Sequence, residues 1–484
     1  MSTVSLDSVQ SADSSLPNGK ALIIQPGVER EQSSGDSVST LDCASETDRS
    51  PSVDMSATYS PDNNAVWEEN GSRDVGELIG WGCGEFGQHG HGSGGDVSAE
   101  QGLLKIFSRT GDPLSCTKII ACGASHTVIV TYSNQIYAWG NGNSGQLGCG
   151  DRETHSDPQR VYLSEQRVKV KGVACGSRHT IVWLENGKCY SFGNNYNAQL
   201  GYDFKVKNYK ENQRNYYMYT GFSVRTSIMP AWCKKGKTQS YTVRKVLPHV
   251  LLHHRDKGRF LDEVKPHLLR TLQHRHVTQV ACGERHTMFL FDTGTVAGCG
   301  CNANGQIGIG SREEVVTPRF LEDLDNVEYI ACGAHHSMCV NASGEVHVWG
   351  HAKPCGSLKE DFLHPQIKPV PGSAVFRVAG GTSHCLALTE NGAVYTWGSG
   401  VDGQLGHGKK VKFLSQPKKL LRNVFQGAKV SQISCSEQYS AVLTVDGSLY
   451  MWGKNNHTIC PEKPASHKVY NLSSWTPVDI ASVN

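Results

Sequence analysis

Cys122-Gly123-Ala124-Ser125-His126-Thr127 is the stretch whose reading decides the fold, because it recurs. It returns as Cys175-Gly176-Ser177-Arg178-His179-Thr180, Cys282-Gly283-Glu284-Arg285-His286-Thr287 and Cys332-Gly333-Ala334-His335-His336-Ser337. Gly380-Gly381-Thr382-Ser383-His384-Cys385 follows, and Cys435-Ser436-Glu437-Gln438-Tyr439-Ser440 is a worn copy. Thirteen residues beyond each His or Tyr stands an aromatic-Gly pair or a variant of it: Trp139-Gly140, Phe192-Gly193, Cys299-Gly300, Trp349-Gly350, Trp397-Gly398 and Trp452-Gly453. Successive pairs are separated by 53, 107, 50, 48 and 55 residues. A period of about 50 marks supersecondary units that bury their faces against neighbours.

One unit is clearest at 172–201. Val173, Cys175 and His179-Thr180-Ile181-Val182-Trp183 carry the β-branched and aromatic residues of strands. Glu185-Asn186-Gly187 reads as a hairpin turn, where Asn-Gly supplies the positive φ values a tight turn wants. Lys188 to Gly193 is the returning strand, and a Gly/Asn-containing loop ends in Gln199-Leu200-Gly201. That tag recurs at Gln146-Leu147-Gly148, Gln306-Ile307-Gly308 and Gln404-Leu405-Gly406, and more loosely at Gln88-His89-Gly90. It is lost after Trp349 and after Trp452.

Six units are complete, and a seventh is split between the chain ends. Leu78-Ile79-Gly80-Trp81 reads as a last strand, and Val478-Asp479-Ile480-Ala481 as a first strand. Joining them closes a ring and removes sheet edges that would otherwise invite aggregation. The expectation is an all-β chain: a seven-bladed β-propeller of four-stranded blades, closed by N- and C-terminal strands, spanning 64–484.

The net charge of +2 hides two unlike segments. Residues 1–63 are rich in Ser, Asp and Glu and poor in bulky apolar residues. Such a segment cannot bury enough surface to offset its ordering entropy and reads as a disordered tail. Residues 202–276 carry sixteen Lys and Arg against five Asp and Glu, with neither repeat motif. They read as a basic insertion after the Gln199-Leu200-Gly201 tag; a degraded blade is the other reading. Its candidate partner-binding residues are Lys205, Lys207, Tyr216, Tyr217, Lys234, Lys235, Lys237, Arg244 and Lys245. Interleaved cations and aromatics suit nucleic acid, anionic lipid or an acidic protein. A solvated loop is the bland alternative.

Chemistry is harder to find. The repeated histidines fall one per unit, so they are dispersed around the ring. They are expected to satisfy buried backbone groups within their own blades. The regular cysteines read as small buried residues, and an odd total of 17 without a secretion signal points to a reducing compartment. The histidines between His249 and His276 lack a firm metal-ligand spacing. No catalytic constellation, metal site or cofactor is expected. No apolar run approaches the roughly 20 residues of a membrane span.

Trp-Gly, Gln-Leu-Gly and Cys-Gly-x-x-His-Ser/Thr, in register, resemble the repeats of the regulator of chromosome condensation family. The resemblance covers about 75–484 apart from the insertion and implies the seven-bladed propeller. It also implies several functions, since members serve as exchange factors for small GTPases, ubiquitin-ligase modules, ciliary scaffolds and a light receptor. The light-receptor branch resembles Gly-Trp-Arg-His, whereas the residues after Gly here are Ala124, Ser177, Glu284, Ala334, Thr382 and Glu437. The founding exchange factor resembles a chromatin binder through a basic tail, whereas this tail is acidic and would repel phosphate. The resulting expectation is a monomeric, cytoplasmic interaction platform for a protein partner, with the nucleus as a second compartment. Guanine-nucleotide exchange on a small GTPase is the first alternative, and nucleic-acid association through the insertion is the second.

Overall fold

Each copy of the Cys-Gly-x-x-His phrase turns the chain between two antiparallel strands. The computed structural model describes residues 22–27, 78–81, 84–92, 94–95, 117–203, 262–408, 410–454, 467–471 and 476–482. Two short strands come first, β1 (Leu22–Gly27) and β2 (Ile79–Trp81). Blade one is β3 (Thr117–Cys122), β4 (His126–Thr131), β5 (Ile136–Gly140) and β6 (His155–Val161). Blade two is β7 (Val170–Cys175), β8 (His179–Leu184), β9 (Cys189–Asn194) and β10 (Asp262–Leu268). Blade three is β11 (Val277–Cys282), β12 (His286–Phe291), β13 (Val296–Gly300) and β14 (Val315–Phe320). Blade four is β15 (Val327–Cys332), β16 (His336–Asn341), β17 (Val346–Gly350) and β18 (Phe362–Lys368). Blade five is β19 (Val375–Gly380), β20 (His384–Thr389), β21 (Val394–Ser399) and β22 (Phe413–Lys419). Blade six is β23 (Val430–Cys435), β24 (Tyr439–Thr444), β25 (Ser448–Gly453) and β26 (His467–Asn471), and β27 (Thr476–Ser482) ends the chain.

Within each blade, strands pair in chain order, so each sheet grows from the first strand outward. The second strand lies deepest: every residue of β4, β8, β12 and β20 is buried. Both of its faces are covered by neighbouring blades. Beyond its leading His its middle is therefore apolar, as in Val128-Ile129-Val130 and Ile181-Val182-Trp183-Leu184, with no polar alternation. Burial shared between blades makes the core. Ile181 and Trp183 of blade two, Phe289 of blade three and Trp349 of blade four belong to one cluster. Full burial of Trp139, Trp349 and Trp397 contributes about 2–3 kcal/mol each. At the far end of the second strand, Gly187 takes φ +78° and its amide donates to Leu184 O at 2.9 Å. That left-handed value is why Gly stands at this turn.

The blade count differs from expectation. The described residues form six four-stranded blades, not seven. The chain ends contribute instead a three-stranded sheet in the order β2-β1-β27. Of the expected pieces, Ile79–Trp81 and Val478–Ala481 do share this sheet, but β1 lies between them, pairing Leu22 with Trp81 and Ile24 with Ile480. β1 falls in the segment read as a tail. Spacing could not find it because it carries no repeat motif. β27 packs against β23 on one side and β3 on the other, which joins the last blade to the first.

The insertion is also shorter than its repeat-free sequence suggests. Residues 262–268 are the outer strand of blade two, and Arg270–Leu272 form a 3-10 turn that buries Leu272. Residues 204–261 lie outside the described residues. Among the described residues, no helix is long and apolar enough to cross a membrane.

Candidate functional site

The repeat motifs build the seams between blades. In the first seam, Thr180 Oγ1 of blade two donates to Gln146 O of blade one at 2.8 Å. Its hydrogen is thereby used, so it accepts from His126 Nε2–H of blade one at 2.9 Å. The next seams repeat this: His179 to Thr287 at 3.0 Å and Thr287 to Gln199 O at 2.7 Å. His286 bonds Ser337 at 2.9 Å, with Ser337 donating to Gln306 O at 2.8 Å. His384 bonds Ser440 at 2.9 Å, with Ser440 donating to Gln404 O at 2.8 Å. The same carbonyls receive indole N–H groups, as from Trp349 to Gln306 O and Trp452 to Gln404 O. Gln88 O likewise accepts from Thr127 and Trp139, tying the N-terminal loop to blade one.

These histidines are structural, as expected, but the expected partner was wrong. Each bonds the hydroxyl or thiol of the next blade instead of backbone within its own. The Gly of the motif has a matching reason. A Cβ on Gly176 would lie 2.1 Å from the His179 ring and 2.6 Å from Gly283 O. Only a bare Cα admits both the imidazole and the neighbouring blade. Burial drives His126, His179, His286 and His384 down to about 3, so the rings are neutral. Burial likewise pushes the Cys332 thiol up to about 12. Cys122, Cys175, Cys282, Cys332 and Cys435 line a central cavity of about 550 Å³. Among the described residues, no three His, Cys, Asp or Glu side chains gather as a metal site.

Strand direction places the remaining features. Each Gly-x-x-His turn lies at the end of the sheet where the third strand finishes; Asn194 N, for example, donates to Arg178 O at 2.8 Å. The loop between third and fourth strands leaves from that same end. In blade two, Asn194 at the end of β9 pairs with Asp262 at the start of β10. The connection running through 204–261 is therefore rooted on the Gly-x-x-His face.

The root is tightly built. Tyr202 stacks on His267 with ring centroids 4.3 Å apart, and its hydroxyl donates to Glu263 at 3.2 Å. Asn194 Nδ2 donates to Asp262 Oδ1 at 2.8 Å, and Arg152 lies 3.5 Å from the other oxygen. Burial raises the Asp262 carboxyl to about 6, outweighing Arg152 and Asn194. The same face carries a charged patch across blades three and four. His335 lies 3.0 Å and Arg285 2.8 Å from Glu284. Asp361 receives Arg312 at 2.6 Å, His351 at 3.2 Å and the Ala352 amide at 2.9 Å. Burial alone would raise Asp361, but the Arg312, Ala352 and Asn304 bonds hold it below its ordinary value.

All nine candidate partner-binding residues, Lys205 to Lys245, lie outside the described residues. Sequence reasoning missed Arg312, His335, His351 and Asp361. Arg312, His351 and Asp361 sit in variable loops, and His335 in a variable position of the motif. Only the fold brings them together.

Comparison with known proteins agrees with this architecture. Two models of the regulator of chromosome condensation (RCC1) repeat match. One covers 133–183, 254–290, 293–340 and 391–443. The other covers 118–146, 170–199, 277–306, 377–404 and 430–458. The chain is 28% identical to the ultraviolet-B receptor UVR8 of Arabidopsis thaliana, over 74% of this chain and 68% of that protein. It is 29% identical to the human E3 ubiquitin-protein ligase HERC2, over 75% of this chain but 8% of the ligase. It is 30% identical to the X-linked retinitis pigmentosa GTPase regulator of Canis lupus familiaris, over 70% of this chain and 28% of that protein. Among solved structures, human WBSCR16 superposes with TM-score 0.62 at 23% identity, covering 83% of this chain and 96% of that one. Yeast Prp20p, described with its binding to Gsp1p and histones, gives 0.59 at 18% identity, covering 81% and 86%.

Proposed function

The chain belongs to the regulator of chromosome condensation (RCC1) repeat family, and on that premise we propose that it is an interaction platform receiving a protein partner on its Gly-x-x-His face. One observation carries this reading: the root of the basic insertion and the charged patch around Glu284 and Asp361 lie at the same end of the blades. A partner seated there would meet both, and the insertion's cations would favour an acidic surface. The hydrogen-bonded seams beneath blades one to four hold that face pre-formed, which lowers the cost of ordering it on binding. The reading places the platform in the cytoplasm, with the nucleus as a second compartment, and has it act as a monomer.

The test is a comparison of faces. Arg178 is exposed in the turn of blade two, and Lys171 is exposed near the opposite end of the same strand. With a partner isolated by affinity purification, Arg178→Glu should weaken binding about tenfold, a loss of about 1.4 kcal/mol. Lys171→Glu should leave it unchanged. Equal effects of the two substitutions would refute the assignment of the face.

A second reading makes that partner a small GTPase whose nucleotide the propeller displaces. It is favoured by similarity to a protein named a GTPase regulator. Accelerated release of labelled GDP from the isolated partner would establish it, and release at the spontaneous rate would exclude it. Nucleic-acid association through the insertion is the further alternative; it requires binding to bare duplex or RNA that falls steeply with salt.

A further inference from the structure

The seam between blades four and five is built unlike the others. The Gln-Leu-Gly tag is replaced there by Pro354-Cys355-Gly356, and the hydroxyl by Cys385. Cys385 Sγ donates to Pro354 O at 3.3 Å and accepts from His336 Nε2 at 3.1 Å. Thiols are weaker donors and acceptors than hydroxyls, so this clamp is the softer one. Trp397 has no partner for its buried indole N–H, whereas Trp139, Trp349 and Trp452 all reach a Gln carbonyl.

The seam also holds an uncompensated cation. Lys368 pairs with Val346 at the register where Val161 pairs with Ile136 in blade one. A valine slot is thus filled by a lysine that is only 6% exposed. Among the described residues, its ammonium has neither a hydrogen-bond acceptor nor a carboxylate. A Cβ on Gly356 would lie 2.6 Å from Lys368 Nζ, so the ammonium points at the Cys355-Gly356 segment. Cys355 and Cys385 are themselves fully buried. A largely buried lysine with no carboxylate beside it, an unmade indole bond and a thiol clamp all weaken the same contact.

We propose that this seam is where the ring opens, and that Cys355 and Cys385 form a thiol-modification site reached through it by a low-molecular-weight disulfide. While the seam is closed, burial pushes both thiols up and keeps them protonated, although Lys368 pulls them the other way. Opening removes the burial and leaves the cation beside them, which favours the reactive thiolate. The thiol then loses its proton to solvent, and its sulfur attacks one sulfur of the reagent. The reagent's S–S bond breaks, a protein–reagent S–S bond forms, and the departing thiolate takes up a proton. No net electron donor or acceptor beyond the disulfide is needed. A mixed disulfide on Cys385 removes the donor to Pro354 and the acceptor for His336, so the modified seam stays open.

The experiment treats the folded full-length chain with glutathione disulfide and follows each cysteine by peptide mass spectrometry. Partly exposed Cys301 gives the reference rate for an accessible thiol. Cys355 and Cys385 should be modified about tenfold faster than Cys189, Cys299 and Cys339, which are equally buried but lie outside this seam, because local opening sets the rate. Cys385→Ser restores the hydroxyl clamp and should slow modification of Cys355. A common rate for these five fully buried thiols, or an unchanged Cys355 rate in Cys385→Ser, would overturn the proposal. If Cys385→Ser fails to fold, the rate ratio in the parent chain decides alone.

Discussion

At the scale of the residue, the seam histidine is the unit to understand. His179 offers one donor, to Thr287, and lies flat against Gly176. Its Nδ1 has no partner, so protonation there would place an unmet charge in the core. The ring falls from an ordinary 6.5 to about 3 in the folded chain because of burial, followed by the field of His126. Between those values the unfolded chain binds more protons than the folded one. The stability this group supplies is therefore complete above pH 6.5 and lost as pH falls toward 3, at about 1.4 kcal/mol per pH unit. Asp262 runs the other way: its carboxyl is raised from 3.8 to about 6, so its contribution is lost as pH rises through 6. His179→Ala should cost about 1–3 kcal/mol at pH 7, through the lost bond and the partner left behind. The gap to the parent should then narrow below about pH 6 by up to ~1.4 kcal/mol per unit. Urea unfolding at neutral and acid pH reads both. A gap independent of pH would mean that the imidazole is not held neutral by burial.

At the scale of the element, the outer strand of blade two separates an insertion from a blade. β10 pairs with β9 from Asp262 to Leu268, and Leu269 and Leu272 behind it are buried. Removing 204–261 and bridging Asp203 to Asp262 should leave the propeller folded, with Tm within about 5 °C of the parent, because closure entropy changes slowly with loop length. Removing everything from 202 to 276 takes β10 and its leucines as well, and should abolish cooperative unfolding of blade two. Calorimetry of the two deletions distinguishes them. If the insertion's charge serves binding, the shorter deletion weakens partner association and flattens its salt dependence. Reversing Lys234, Lys235 and Lys237 to Glu should reproduce most of that loss in the intact chain. Normal binding by both variants at every salt concentration would leave the insertion a solvated loop. The boundary was illegible in sequence because Asp262–Leu268 carries none of the repeat motifs. Its strand character comes from the β9 edge it covers.

At the scale of the molecule, closure is the central question. β27 pairs with β1 and lies against both β23 and β3, so the last strand of the chain joins the last blade to the first. Deleting 475–484 removes it and exposes two inner strands at once. Tm should fall by at least about 5 °C, and scanning calorimetry measures it directly. An unchanged Tm would show that this sheet adds nothing to the ring. The propeller was legible in advance because six copies of a motif, each with its aromatic-Gly pair thirteen residues on, mark six blades and their strand pairs; the seventh blade expected from the chain ends is not found among the described residues. The sheet made by the ends was only half legible. β2 and β27 could be found as pieces of a unit, but β1, which stands between them, carries no repeat signal.

The sequence by itself determined the repeating blade, its turns, and the burial of its Trp, Cys and His positions. The turns and strand pairs depend on contacts within one repeat, and the pattern states the buried positions repeatedly. Tertiary structure decided which residues meet across a seam, since His179 and Thr287 stand 108 residues apart. It also decided which face carries the insertion, where blade two ends, and that Lys368 occupies a valine's place between blades four and five. These facts follow from strand direction and from one sheet packing on the next. Spacing along a chain records neither, because each depends on a partner whose distance in sequence is free to vary.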